Sequence, residues 1–65
     1  MEDKLIEKLR YVMEEKGHSA EMAARFIDCS GKQVYLWLAY KANPTRIYRK
    51  AIQKGIKRME GLARL

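Results

Sequence analysis

A chain of 65 residues, 48% hydrophobic and 34% charged with a net charge of +6, has room for one small domain and no second core; at this length folding buries only roughly 60% of the surface of the unfolded chain. Its single cysteine, Cys29, excludes a disulfide framework, and its longest apolar run, Val34 to Tyr40, has seven residues where a membrane span takes about 18. The opening Met-Glu-Asp-Lys is acidic where a signal peptide is basic and then apolar, which predicts a cytoplasmic protein with no membrane attachment.

Four helices follow from periodicity and punctuation. Leu5, Ile6, Leu9, Val12 and Met13 fall on one helical face, with Glu2 and Asp3 at the positive amino end and Lys16-Gly17 at the close, which predicts a first helix over about 3–16. Ser19 is the N-cap of a second, Ala-rich helix over about 19–27, with Ala23, Ala24, Phe26 and Ile27 apolar. After the break Asp28-Cys29-Ser30, the run Ser30-Gly31-Lys32-Gln33 matches a capping box, in which the serine side chain and the glutamine side chain each satisfy a free amide of the first turn. The third helix runs over about 31–40, with Val34, Trp37 and Leu38 facing inward and the Lys41 stem at their edge. Asn43-Pro44 marks the start of a fourth over about 44–60, because Pro suits a first helical turn.

On a 100° wheel the fourth helix divides into two arcs. Tyr48, Ala51, Ile52, Gly55, Ile56 and Met59 share the inward one, which Leu62 and Leu65 extend, while Arg46, Lys50, Gln53 and Lys57 share the opposite, cationic one. This matches the distribution of charge: residues 1–30 hold five basic and seven acidic side chains, a balance of −2, and residues 31–65 hold nine basic against Glu60 alone, a balance of +8. An asymmetry of this kind points to a polyanionic partner. Lys57 lies roughly 16 Å along the axis from Arg46 at about 1.5 Å per residue, a distance that suits long-range steering better than contact.

Two short helices joined by a three-residue turn make a helix-turn-helix pattern. Its register runs from Ala20 to Trp37. Ala24 is small where the helices cross, Ile27 anchors the core, Asp28 takes the turn position that needs positive φ, Cys29 is a small inward residue, and Val34 and Trp37 return to the core. With Trp37-Leu38 followed by Lys41 and Pro44, the chain resembles the Cro/C1-type (XRE, lambda-repressor-like) DNA-binding domains over about residues 5–60. The resemblance implies an all-α bundle of four to five short helices. It also implies a sequence-specific transcription regulator of the kind carried by phages and mobile elements, associated with the nucleoid and occupying an operator as a homodimer. The chain departs from the family at Ala20, where Gln is frequent, at Asp28, where Gly is usual, and on the outer face of the recognition helix, which is less polar.

A recognition helix presents its amino-terminal residues to base edges in the major groove of double-stranded DNA. With Val34, Trp37 and Leu38 turned inward, Lys32, Tyr35, Leu36 and Ala39 are the expected base contacts; Lys32 can donate to guanine, and the others can meet thymine methyls. Gln33 is read first as a capping residue and second as a base contact. Ser30, Lys41, Asn43, Thr45 and Arg46 are the expected phosphate contacts, which position the domain without reading sequence.

Two other readings compete. The Tyr35/Leu36/Tyr40 surface could serve a protein-interaction module of antitoxin or adaptor type, and the basic fourth helix could bind nucleic acid or a membrane surface without specificity. Catalysis is not expected: His18 is alone and reads as a loop residue ahead of the Ser19 cap, Cys29 reads as a small buried residue, and Glu14-Glu15 diverge on adjacent helical positions. No metal, cofactor or small-molecule substrate is implied.

Overall fold

The computed structural model describes the backbone of residues 3–62 and the side chains of residues 3–61. Asp3 opens α1 (Lys4–Lys16): its backbone is extended, and its carboxylate accepts the amides of Leu5 and Ile6 at 3.1 and 3.5 Å. Arg49, on α4 (Arg46–Leu62), donates to the same carboxylate at 2.7 Å, so one side chain caps α1 and ties it to the last helix. This charge-assisted contact holds the Asp3 carboxyl below its ordinary value of 3.8.

Ser19 caps α2 (Ala20–Ile27), accepting the Met22 amide at 3.3 Å, and Ser30 caps α3 (Gly31–Leu38), accepting the Gln33 amide at 3.2 Å. Among the described residues only the serine half of the capping box forms. The first three helices end by one device, a left-handed residue followed by an amide that reaches five residues back. Gly17 (φ 68°) precedes His18, whose amide donates to the Met13 carbonyl at 2.8 Å. Asp28 (φ 67°) precedes Cys29, bonded to Ala24 at 3.0 Å, and Tyr40 (φ 58°) precedes Lys41, bonded to Leu36 at 2.9 Å. Glycine adopts this backbone freely and aspartate tolerates it, whereas a tyrosine there is uncommon.

Two helix limits differ from the expectation. The third helix ends at Leu38 rather than at 40, because Tyr40 has already turned left-handed. The fourth starts at Arg46 rather than at Pro44, because Pro44 is buried in the connection and Thr45 is the cap, its hydroxyl accepting the Tyr48 amide at 3.4 Å. Lys41, expected at the inward edge, is exposed. Glu2 and Leu65, assigned to the ends of the first and last helices, lie outside the described residues, as does the Leu62 side chain.

The apolar faces meet in one core. α2 packs against α3 and α4, and α1 covers α4 and part of α3. Ile6, Leu9, Val12 and Met13 of α1 join Ala23, Ala24 and Ile27 of α2, Val34 and Trp37 of α3, and Ile52, Ile56 and Met59 of α4. Burial of each large side chain contributes about 1.5 to 3 kcal/mol. Gly55 marks the closest approach of α4 to α2: a Cβ there would stand 2.5 Å from Ile27 Cγ1 and 3.3 Å from the Ile27 Cα. Tyr48, expected inside, sits at the core's margin with 36% of its surface exposed and its ring edge-on to Trp37, centroids 5.1 Å apart.

Candidate nucleic-acid interface

Burial of one side of α3 leaves the other side free. Val34 and Trp37 are fully buried, and the positions between and flanking them turn outward: Lys32, Tyr35 and the cap residue Ala39 are exposed and Leu36 is half-buried. Spaced i, i+3, i+4 and i+7, these four residues form a single stripe. Gln33 lies at its edge, half-buried, its backbone N–H donating to the Ser30 cap and its side chain making no capping bond among the described residues. The stripe is therefore the side of α3 that faces out of the bundle, with Leu36 half-covered.

The expected phosphate contacts lie at the two ends of this stripe. Ser30 is exposed at the positive end of α3; its Oγ spends a lone pair on the Gln33 amide and keeps its O–H free to donate. Lys41, Asn43, Thr45 and Arg46 are exposed on the connection behind α3 and at the start of α4, with Thr45 occupied as the α4 cap in the same way. Sequence spacing thus recovers two groups rather than one cluster, separated by the length of α3, about 12 Å for eight residues.

The connection is held by a residue that no local sequence signal singles out. Arg10 of α1 donates to the Leu38 carbonyl, and its guanidinium lies over the Tyr40 ring, 6.0 Å from the centroid. It satisfies a carbonyl at the carboxyl end of α3 and covers the left-handed Tyr40, so α1 holds the loop that carries Lys41 and Asn43. Pro44, buried, pins the other end of that loop.

The remaining reactive groups are quiet. Desolvation pushes the Cys29 thiol up, away from the thiolate form that reacts. His18 stacks on Phe26, rings nearly parallel and 5.3 Å apart. Among the described residues no three His, Cys, Asp or Glu side chains are placed to share a metal ion, and no helix is long and apolar enough to cross a membrane. Comparison with family models, with curated proteins and with solved structures finds no match.

Proposed function

We propose that the chain is a sequence-specific DNA-binding regulator of the Cro/C1, lambda-repressor-like type, with α3 as the recognition helix in the major groove. The observation that carries this reading is the free stripe Lys32, Tyr35, Leu36 and Ala39 on a helix whose opposite side is locked into the core by Val34 and Trp37. Lys32 donates to a guanine edge near the amino end of α3, while Tyr35, Leu36 and Ala39 meet thymine methyls. Ser30, Lys41, Asn43, Thr45 and Arg46 hold phosphates on either side, and Gln33, whose side chain forms no capping bond among the described residues, is a further base contact. Residues 31–65 carry a balance of +8 against −2 for the rest; Lys32, Lys41 and Arg46 bring part of that surplus beside the stripe, and the remainder adds long-range attraction between the duplex and the molecule.

A module with so few base contacts gains specificity by pairing, so the functional unit is a homodimer on two half-sites about one helical turn apart. The activity is occupancy of a site rather than catalysis.

Selection of bound sequences from random duplex DNA tests the reading. An enriched, two-fold symmetric motif supports it. Uniform, strongly salt-dependent binding assigns the protein to non-specific nucleic-acid binding, and absence of DNA binding turns the Tyr35/Leu36/Tyr40 surface into a protein contact. Tyr35 and Tyr40 are 56% and 40% exposed, enough for either use.

A further inference from the structure

A second exposed apolar surface lies on a different part of the molecule. Where the carboxyl end of α2 meets the outer side of α4, Phe26, Ile47, Tyr48 and Ala51 line a groove of about 450 Å³ to which α3 contributes nothing. Ile47, 80% exposed, is the most exposed of the large apolar side chains among the described residues. Isolated apolar residues at a surface are ordinary, but this one continues into Phe26, Tyr48 and Ala51 along a concave surface, the arrangement that marks recognition sites.

The charge of the groove is equally one-sided. Lys50, Lys54 and Arg58 line it on the same stripe of α4 as Ile47, at i+3, i+7 and i+11, against the single acid Asp28. Arg58 is partly spent within the fold: it donates to the Phe26 carbonyl at 3.2 Å and stands 3.8 Å from the Asp28 carboxylate. Lys50 and Lys54 are exposed and have no ion-pair partner among the described residues. The groove therefore combines an apolar lining with two uncompensated ammonium groups.

These features select among occupants. A phosphate backbone would use the lysines and leave Ile47 in water. No helix of a second copy of this chain carries a net acidic charge among the described residues, so the exposed Glu7, Glu14 and Glu15 of α1 would arrive with Lys4, Lys8 and Arg10 beside them. The exposed charges of α1 balance, Lys4, Lys8 and Arg10 against Glu7, Glu14 and Glu15; those of α2 balance as Glu21 against Arg25; and α3 and α4 are basic. An amphipathic helix with apolar residues on one side and carboxylates beside them satisfies both parts of the groove.

We propose that the α2/α4 groove is a docking site for an acidic amphipathic helix of a partner protein, its apolar side chains seated against Phe26, Ile47 and Ala51 and its carboxylates facing Lys50 and Lys54. This surface is separate from the α3 stripe, and its use does not depend on what that stripe binds. Burial of the apolar contact supplies the affinity, and the lysines exclude basic competitors and speed encounter.

The test is selection from a displayed library of helix-forming peptides, with acidic, basic, neutral and apolar residues varied freely, on the immobilised full chain. The expected winners are acidic, with apolar residues at i, i+3 or i+4, and i+7. Ile47→Ser should lower their affinity about tenfold through lost apolar burial. Lys54→Gln should lower it less, by an amount that shrinks as salt rises. Both side chains are exposed, and circular dichroism of each variant confirms that helicity is kept. The proposal is overturned if no peptide is enriched, if the winners lack an acidic bias, or if they bind both variants as tightly as the parent. It falls equally if Ile47→Ser weakens binding of random duplex DNA while leaving the peptides unaffected, since the groove would then belong to nucleic acid.

Discussion

The outer stripe of α3 and the α2/α4 groove are made of the same materials and differ in shape. Each sets aromatic and aliphatic side chains beside lysine: Tyr35 and Leu36 with Lys32 on one, Phe26 and Ile47 with Lys50 and Lys54 on the other. The first is the side of a helix that projects, so it fits into something hollow; the second is hollow, so it receives something that projects. Composition sets the range of partners for both surfaces, and curvature divides that range between them. The two surfaces also depend on different parts of the fold. α3 presents its stripe through its own periodicity and caps, whereas the groove exists only where α2 and α4 approach closely at Gly55.

The strongest attack on the pair is one that removes their common support. Trp37→Ala should cost about 3 to 5 kcal/mol, comparable with the whole stability of a small domain, and abolish the cooperative unfolding transition seen by circular dichroism. Both surfaces should vanish together. If peptide binding survived the loss of helicity, the two would not share one core.

Separating them takes smaller changes. Lys32→Ala should relax preference at one base position, at a cost of about 1 to 3 kcal/mol on the selected site, while Arg46→Ala should weaken all sequences alike and flatten the salt slope by about one. Titrations of matched and mismatched duplexes at several salt concentrations distinguish these outcomes, and neither variant should alter peptide affinity at the groove. Equal losses on every sequence for both variants would remove base readout from α3.

Gly55→Ala probes the opposite side. The added Cβ meets Ile27 and the α2 backbone, and such overpacking costs about 1 to 3 kcal/mol, offset by about 1 kcal/mol of improved helix propensity. The net effect should be a lower unfolding midpoint in urea and a groove forced wider, with weaker peptide binding and unchanged base preference. A variant that loses base preference first would show that α2 and α4 set the orientation of α3 as well.

The smallest expected effect touches both surfaces equally. Asp3→Ala removes the α1 cap, worth about 1 kcal/mol, together with the Arg49 contact. Because the folded carboxyl titrates below its ordinary value of 3.8, its contribution is fully present above that pH and is lost as pH falls below it through the folded value. Thermal unfolding of parent and variant between neutral and strongly acidic pH should converge at the acid end. A gap of constant size would place the stabilisation elsewhere.

Local signals accounted for most of what the chain does along its own backbone. Ser19, Ser30, Gly17 and Asp28 each cap or end a helix where their chemistry favours it, and the i, i+3, i+4, i+7 pattern of α3 separates its two sides without further information. Contacts between distant residues were not legible. Asp3 and Arg49 are 46 positions apart, and Arg10 and Leu38 are 28 apart, so no window of sequence holds both members. Ile47 was missed for a related reason: on a wheel it falls between the apolar and cationic arcs of α4, and only the position of α2 turns that boundary into the side of a groove. Pro44 was misplaced because proline suits both a first helical turn and a buried bend, and the choice lay with Thr45, the stronger cap.

Trp37 gives the molecule its own optical gauge. It is the one tryptophan of the chain, it is fully buried, and it sits on the inner side of α3 against Tyr48 of α4, with no hydrogen-bond acceptor at its indole nitrogen among the described residues. An indole in so dry a site emits toward the blue, and any tilt of α3 away from α4 would admit water and shift the emission red. Fluorescence at that single ring therefore reports whether α3 engages a ligand as a rigid blade or by leaving its seat, without a label and on the unmodified chain.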